Sequence, residues 1–335
     1  MRAITRQRWG IVLRSIGLGA LVGIAMTRSA GGAGVGDDGV GAAIGGLIGF
    51  GISSLEAFIL TAPAGEALRR LSLGVALLAR IALYTAIILP VLILVPLAAP
   101  GATGMRLPIL NSMVFALAVS VLFNFAFTIR SLIGGWTLVA LLTGRYRHPR
   151  TEERVVLMLD IVGSTAIAER IGPERFLLML DRFVAAATEP ILAAKGEIYR
   201  YVGDEIIVTW PFERGIAEGR SIATIFAVEA AVLARRGTWE RDFGTLPRFR
   251  AALHAGPLVV GELGAVKREI TMLGDTMNTT ARIEDACRAL DRPYLASAAV
   301  VERAPMPAGL SVEPLGPVPL RGKSDAITLY ALLRT

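Results

Sequence analysis

The first 130 residues hold long apolar stretches with little charge among them, and the remaining part of the chain holds none. A bilayer is crossed by about 20 predominantly apolar residues in a helix. Four stretches meet that length: roughly 10–27 (GIVLRSIGLGALVGIAMT), a glycine-rich one at 39–61 that ends in EAFIL, 72–98, and 107–129. The mean hydropathy of +0.57 and the 53% of hydrophobic residues agree with an all-α transmembrane bundle of about four helices. Arg2, Arg6 and Arg8 followed by an apolar run also have the form of a signal peptide. Three further spans favour a retained helix.

The charge pattern orients the bundle. Residues 1–150 carry 13 Arg, no Lys and 4 acids, whereas the rest carries 22 basic and 24 acidic residues. The basic excess beside apolar segments points to membrane topology and not to nucleic acid. Arg2, Arg6, Arg8 and Arg14 flank the start, Arg69 and Arg70 lie in the second loop, and Arg145, Arg147 and Arg150 follow the last span. The first loop carries Asp37 and Asp38 instead. Counting basic residues in short loops puts both termini in the cytoplasm. Glu56, Arg80 and Asn124 fall within or near the spans, and intramembrane ionisable groups mark function by default. A Glu56–Arg80 pair is one reading; a snorkelling Arg80 is the other.

The sequence divides into a transmembrane domain at 1–129, a linker at 130–153 with an amphipathic pattern, and a soluble domain at 154–335. Pro149 and the charges after it mark the boundary. VVLMLDI (155–161) is a buried-strand run. PERFLLMLDRFVAAATEPILAAKG reads as a long helix, with Phe176, Leu177, Leu180, Phe183 and Val184 at helical spacing. IYRYV and IIVTW form a hairpin around GDE (203–205). FRAALHAG and PLVVGEL read as two strands, ITMLGDTMNTTARIE as a strand entering a helix, and the tail as two short strands. The expected domain is α+β around one sheet.

Asp160 ends the first strand and Asp204 sits at the hairpin tip. If those strands are neighbours, both carboxylates meet, and two buried like charges need compensation. Oxygen donors without Cys or His suit Mg²⁺ or Mn²⁺. A tight turn that merely favours Gly and Asp explains GDE equally well on its own. After Asp160, the residues Ile161, Val162, Gly163, Ser164 and Thr165 open a helix whose amides suit a phosphate. Asn278 and Arg282 in NTTAR share a helix face. Arg stabilises charge growing on phosphate, and Asn hydrogen-bonds a ribose. Arg321 and Lys323 in LRGK add cations for a polyphosphate. Each residue taken singly also fits an exposed helix face or turn.

Taken together, VVLMLDIVGSTAIAERIG, GEIYRYVGDEIIVTW, LHAGPLVVGELG, ITMLGDTMNTTARIE and PLRGK resemble the class III adenylate/guanylate cyclase family, specifically its bacterial membrane-bound members. The resemblance covers about residues 152–333. It implies a ferredoxin-like α+β class III nucleotide cyclase domain that works as a homodimer in the bacterial inner (cell) membrane, with its catalytic part cytoplasmic. It further implies that Asp160, Asp204 and the Ile161 carbonyl hold two Mg²⁺ (or Mn²⁺) ions per site. Asn278 would orient the ribose, Arg282 would stabilise the transition state, and Lys323, with Arg321, would bind the terminal phosphates. The implied reaction is attack of the ribose 3′-oxygen of ATP on its α-phosphate, giving cyclic AMP and pyrophosphate.

Two positions depart from the family pattern. Arg200 stands where Lys is usual, and Thr271 stands where Asp is usual. Guanylate cyclases usually have Glu and Cys there, so the resemblance favours ATP, with a guanylate cyclase or a catalytically weak cyclase-like signalling module as alternatives. His254 and Cys287 read as packing residues, and Glu205 as a residue facing outward on its strand.

Overall fold

The computed structural model describes residues 2–29, 34–60, 71–98, 109–266, 268–323 and 325–335. The arginine pair 69–70 lies outside them. The chain forms two compact units that divide after Gly135.

The N-terminal unit contains four long helices among the described residues: α1 (Arg2–Ser29), α2 (Val35–Ser54), α3 (Leu73–Ala98) and α4 (Ile109–Ile133). The stretches Trp9–Arg28, Val35–Phe58 and Gly74–Val95 are long and apolar enough to cross a membrane; α4 adds a shorter apolar stretch, Leu117–Ala126. Glycine explains how α1 and α2 pair. A Cβ on Gly45 would lie 1.9 Å from the Gly19 carbonyl oxygen, and one on Gly23 would lie 1.9 Å from that of Gly41. Backbones approach this closely only where side chains are missing, a packing mode that suits a medium in which lipid competes for every apolar side chain. At the end of the pair Arg28 Nη2 meets Asp38 Oδ2 at 2.7 Å.

Helix α2 continues into a π-helical turn, Leu55–Leu60, that carries Glu56. Tyr84, fully buried on α3, donates a hydrogen bond to the Glu56 carboxylate. Arg80 Nε lies 3.9 Å from Glu56 Oε1, so the two expected partners do meet. Asn124, buried on α4, donates to the Leu77 carbonyl at 2.9 Å. Polar side chains thus tie α3 to both of its neighbours.

The second unit begins at Trp136, one residue into α5 (Gly135–Thr143), which follows Gly134 at φ 83°. It then runs β1 (Arg150–Ile161), α6 (Ser164–Ile171), α7 (Pro173–Ala193), β2 (Glu197–Val202), β3 (Glu205–Pro211), α8 (Phe212–Ile216), α9 (Arg220–Leu233), α10 (Arg236–Phe243), β4 (Phe249–Leu263), β5 (Glu269–Leu273), α11 (Asp275–Ala289), β6 (Tyr294–Ser297), α12 (Ala298–Val301), β7 (Leu310–Val318) and β8 (Ile327–Arg334). The strands form one mixed sheet in the order β2-β3-β1-β4-β6-β8-β7, with β5 paired to β4. This is the expected α+β architecture. FRAALHAG and PLVVGEL differ from expectation by forming one continuous 15-residue strand, β4, whose residues Phe249 to Val260 pair with the whole of β1.

Alternation along β1 sorts the sheet into faces. Val155, Leu157, Leu159 and Ile161 join a core with Met179, Phe183, Ile222 and Ile225 from α7 and α9. Val156 and Met158 face the other way, packed with Ala140 of α5, Tyr146 and Met272. Helix α11 covers that second face beside them, through Ile283, Ala286 and Cys287 against Ala252 and Leu295. Leu177 of α7 is not part of the core; it is exposed.

Replacing Gly45 by Ala is expected to destabilise the α1–α2 pair by about 1–3 kcal/mol, because its methyl collides with backbone that has no room to yield. Gly17→Ala is the control, since a Cβ there meets nothing within 4 Å. Thermal unfolding of the full chain in detergent distinguishes them; equal midpoints for the two variants would contradict the packing account.

Candidate active site

The sheet register brings the acids together. Strand β1 pairs with β3 up to Leu159 opposite Ile206, so the next step sets Asp160 across from Glu205 on the same face. The β2–β3 turn closes with Val202 opposite Glu205, leaving Gly203 and Asp204 at its tip. Gly203 has φ 63°, a left-handed conformation that glycine adopts without strain. On the other side of β1, Asp160 pairs with Arg250 of β4. Arg250 Nη1 lies 3.9 Å from Asp160 Oδ2 and 4.0 Å from Glu284 Oε1 of α11.

One guanidinium therefore faces Asp160 and Glu284, with Asp204 and Glu205 beside them. Asp204 Oδ2 and Glu284 Oε1 are buried and have no hydrogen-bond partner. Burial, followed by the nearby charges of Asp204 and Glu284, pushes the Asp160 carboxyl up to about 7. Burial, with Glu284 and Asp204, pushes Glu205 up to about 7 as well. Burial and Asp285 raise Glu284. Glu205 thus belongs to the acid cluster, because a two-residue turn puts it on the face of Asp160. Uncompensated buried carboxylate charge and an orphaned Asp204 oxygen fit a divalent cation. Among the described residues no group of three or more His, Cys, Asp or Glu is placed to hold a metal ion by itself. Such an open donor set suits an ion that takes its remaining ligands from water and phosphate.

Ile161 ends β1 with its side chain buried in the core, so only its backbone is available to a ligand. The Val162 amide donates to the Arg248 carbonyl at 2.8 Å, which commits it elsewhere. Gly163 follows at φ 70° and caps α6, with open space where a Cβ would stand. The first amides of α6, from Ser164 and Thr165, have no intrahelical acceptor. Ser164, Thr165, Phe176, Leu177, Gly203 and Asp204 line a cleft of about 470 Å³.

The other predicted residues gather elsewhere. Helix α11 rests on the sheet through Thr276, Thr280, Ile283 and Cys287. At 100° per residue, Glu284 projects from one flank of that contact, and Asp275, Asn278 and Arg282 from the opposite flank, about 150° away. Arg282 Nη1 donates to the Gly322 carbonyl at 3.4 Å, and Lys323 bonds Asp275. Asn278 and Arg321 are exposed. The chain thus brings Asp160 to Asp204 and Arg282 to the loop of Lys323, on opposite flanks of one helix.

Arg200 and Thr271 are linked through β5. Arg200 Nη2 bonds Glu269 Oε1 at 2.9 Å, and Glu269 is two residues from Thr271, hence on the same face. The Tyr199 hydroxyl accepts from the Met272 amide at 3.0 Å and ties β2 to β5. Thr271 Oγ1 is buried without a partner. His254 is a packing residue, with Nδ1 2.7 Å from Ser297 Oγ and its imidazole pushed down to about 4 by burial. Cys287 is buried, which pushes its thiol up to about 12. Sequence reasoning missed Arg250, Glu284 and Glu269. An Arg in an otherwise apolar strand (FRAAL) and a Glu two residues after Arg282 were the available signals.

Residues 146–334 match the model of the adenylate and guanylate cyclase catalytic domain, so the chain belongs to that family. It is 41% identical over 230 residues to "Adenylate cyclase 2" of Rhizobium meliloti, covering 69% of this chain and 63% of that protein. It is 29% identical over 192 residues to the adenylate cyclase of Anabaena cylindrica, covering 54% of this chain and 36% of the relative. The chain spans less than two thirds of the length of these curated relatives. Among solved structures it resembles a bacterial light-regulated adenylyl cyclase in fold, with TM-score 0.56, 19% identity, and 65% and 64% of the two chains covered. The family generally uses divalent metal ions.

The acid cluster has a pH signature. Asp160 has an ordinary value of 3.8 and about 7 when folded. Between those values the unfolded chain releases a proton that the folded chain keeps, so stability falls as pH rises through that window. In chelator-treated full chain, Asp204→Asn is expected to reduce the loss of thermal midpoint between pH 5 and 8. Mg²⁺ is expected to restore the wild type at pH 8. A wild-type midpoint that tracks the variant's over that range would refute the cluster.

Proposed function

We propose that this protein is a membrane-anchored adenylate cyclase that converts ATP to 3′,5′-cyclic AMP and pyrophosphate at sites shared between two copies of the chain. The observation that carries this reading is the division of α11. Asp160 and Asp204 lie towards one flank of it, and Asn278 and Arg282 on the other. A single nucleotide needs both sets, and a symmetric pair of chains supplies each set to the other twice.

In this reading Asp160, Asp204 and the Ile161 carbonyl hold two Mg²⁺ or Mn²⁺ ions. Bound there, such a cation would supply charge neutralisation for phosphate and would lower the pKa of a nearby hydroxyl. The remaining work belongs to the chain. The amides of Gly163, Ser164 and Thr165 cradle phosphate. Asn278 orients the ribose, Arg282 meets charge on the α-phosphate, and Lys323 with Arg321 receives the terminal phosphates. Thr271 Oγ1, buried and unpartnered, suits the exocyclic amino group of adenine. Arg200, held by Glu269, presents a planar fork to the base. The 41% identical relative named an adenylate cyclase supports ATP over GTP. The arginine distribution supports insertion in a bacterial inner membrane, with both termini and the catalytic unit cytoplasmic.

Purified full chain with Mn²⁺ and ATP is expected to yield cyclic AMP, identified chromatographically. Asp204→Ala and Asn278→Ala should each be inactive alone. Co-expressed in equal amounts they should recover about a quarter of wild-type activity, since random pairing gives half heterodimers with one intact site each. No cyclic nucleotide from the wild type refutes the activity; no recovery refutes the shared site. Arg200→Glu is expected to lower kcat/KM for ATP relative to GTP by at least tenfold, about 1.4 kcal/mol, measured with both nucleotides; an unchanged ratio removes Arg200 from base selection.

A further inference from the structure

The two cations on the outer flank of α11 are already engaged by the chain's own acceptors. Arg282 Nη1 donates to the Gly322 carbonyl at 3.4 Å, and the Lys323 ammonium bonds Asp275 Oδ2. The loop that carries Lys323 is shaped for this. Gly322 has φ 73°, and the Lys323 amide donates to the Leu320 carbonyl at 3.0 Å. Asp275, the first residue of α11, also accepts from Thr279 Oγ1 at 3.3 Å. The Lys323 side chain is 20% exposed, while that of Asp275 is 69% exposed and open to an incoming ligand. His254, whose pKa feels both groups, is held neutral by burial and brings no competing charge.

We propose that Asp275 is an internal stand-in for the substrate's polyphosphate: it holds Lys323 in place in the nucleotide-free chain and is displaced by a phosphate oxygen when nucleotide binds. This rests on the reading of Lys323 as a phosphate ligand. Asp275 is then a positioning residue that makes no contact with the reacting atoms. Its carboxylate and a terminal phosphate compete for one ammonium, so each ATP bound breaks one ion pair within the chain. The pair is largely solvent-facing on the Asp275 side, and exposed pairs are weak, which bounds the effect to a few-fold.

The test uses the full chain in detergent with saturating Mn²⁺. Asp275→Asn keeps the acceptor for Thr279 and removes the charge. It is expected to lower KM for ATP and the inhibition constant of pyrophosphate by two- to fivefold, with kcat within twofold. Asp275→Glu should restore values near wild type. Lys323→Ala should raise KM, and adding Asp275→Asn to it should change nothing further. A purely structural Asp275 would shift the thermal midpoint of Asp275→Asn and leave KM and pyrophosphate inhibition unmoved. That result, with KM still raised in Lys323→Ala, overturns the stand-in and leaves the phosphate role of Lys323 intact. An unchanged KM in Lys323→Ala overturns both.

Discussion

Strand β1 is the member on which the site depends, because it pairs with β3 on one side and with β4 on the other. Those two registers fix what surrounds Asp160: Glu205 and the Asp204 turn from β3, Arg250 from β4, and Glu284 from the helix above. A slip of one residue in either pairing would turn every side chain of the slipped strand to the opposite face. The apolar residues Val155, Leu157, Leu159 and Ile161 prevent that slip, since it would expose them and bury their polar counterparts. The hydrophobic core thereby holds a cluster of carboxylates whose mutual repulsion the chain alone does not relieve.

The far ends of the same strands are gripped by a different device. Arg154 of β1 is 1% exposed and bonds Glu197 of β2 at 2.8 Å, Thr209 of β3 at 3.1 Å and Glu152 at 3.0 Å. Its guanidinium lies 5.2 Å from the Trp136 ring centroid on α5, and the Tyr146 hydroxyl donates to Glu152 at 2.9 Å. Removing one partner of a buried charge network typically costs about 3–5 kcal/mol, because it leaves the other charge buried and unpaired. Three strands are held at one end by this arginine and carry Asp160 and Asp204 at the other. Trp136 and Tyr146, which precede β1, therefore act on the same rigid element as the acids.

Much of this was legible in the amino-acid order, and the misses have physical causes. The alternating run VVLMLDI and the GDE turn were readable because a buried strand and a tight turn have strong local signatures. The adjacency of Asp160 and Asp204 followed once those strands were taken as neighbours. Glu205 was read as outward-facing because alternation along one strand does not reveal which neighbour lies opposite; the β1–β3 register does. The division of β4 into two strands came from the Gly256-Pro257 step, a usual breaker. Here Pro257 lacks an amide but lies opposite Glu153, near the start of β1, and pairing continues past it. The four-residue β6 was missed because it is too short to show a period. The Glu56–Arg80 pair was legible as two ionisable groups in apolar surroundings, whereas the Tyr84 hydrogen bond to Glu56 has no local signature.

Helix α11 couples these observations to the shape of the site. Its sheet-facing side is made of threonines and small apolar residues, which leaves both flanks free for charge. One flank delivers Glu284 to Arg250 above β1; the other delivers Arg282 and Asp275 to the loop between β7 and β8. A helix cannot bend its two flanks to one point, so, in the proposed reading, a nucleotide that meets both Asp160 and Arg282 requires a second surface. On that proposal, the rigidity of α11 on the sheet is the physical reason for two chains to share a site, and activity would depend on how those chains are held with respect to each other.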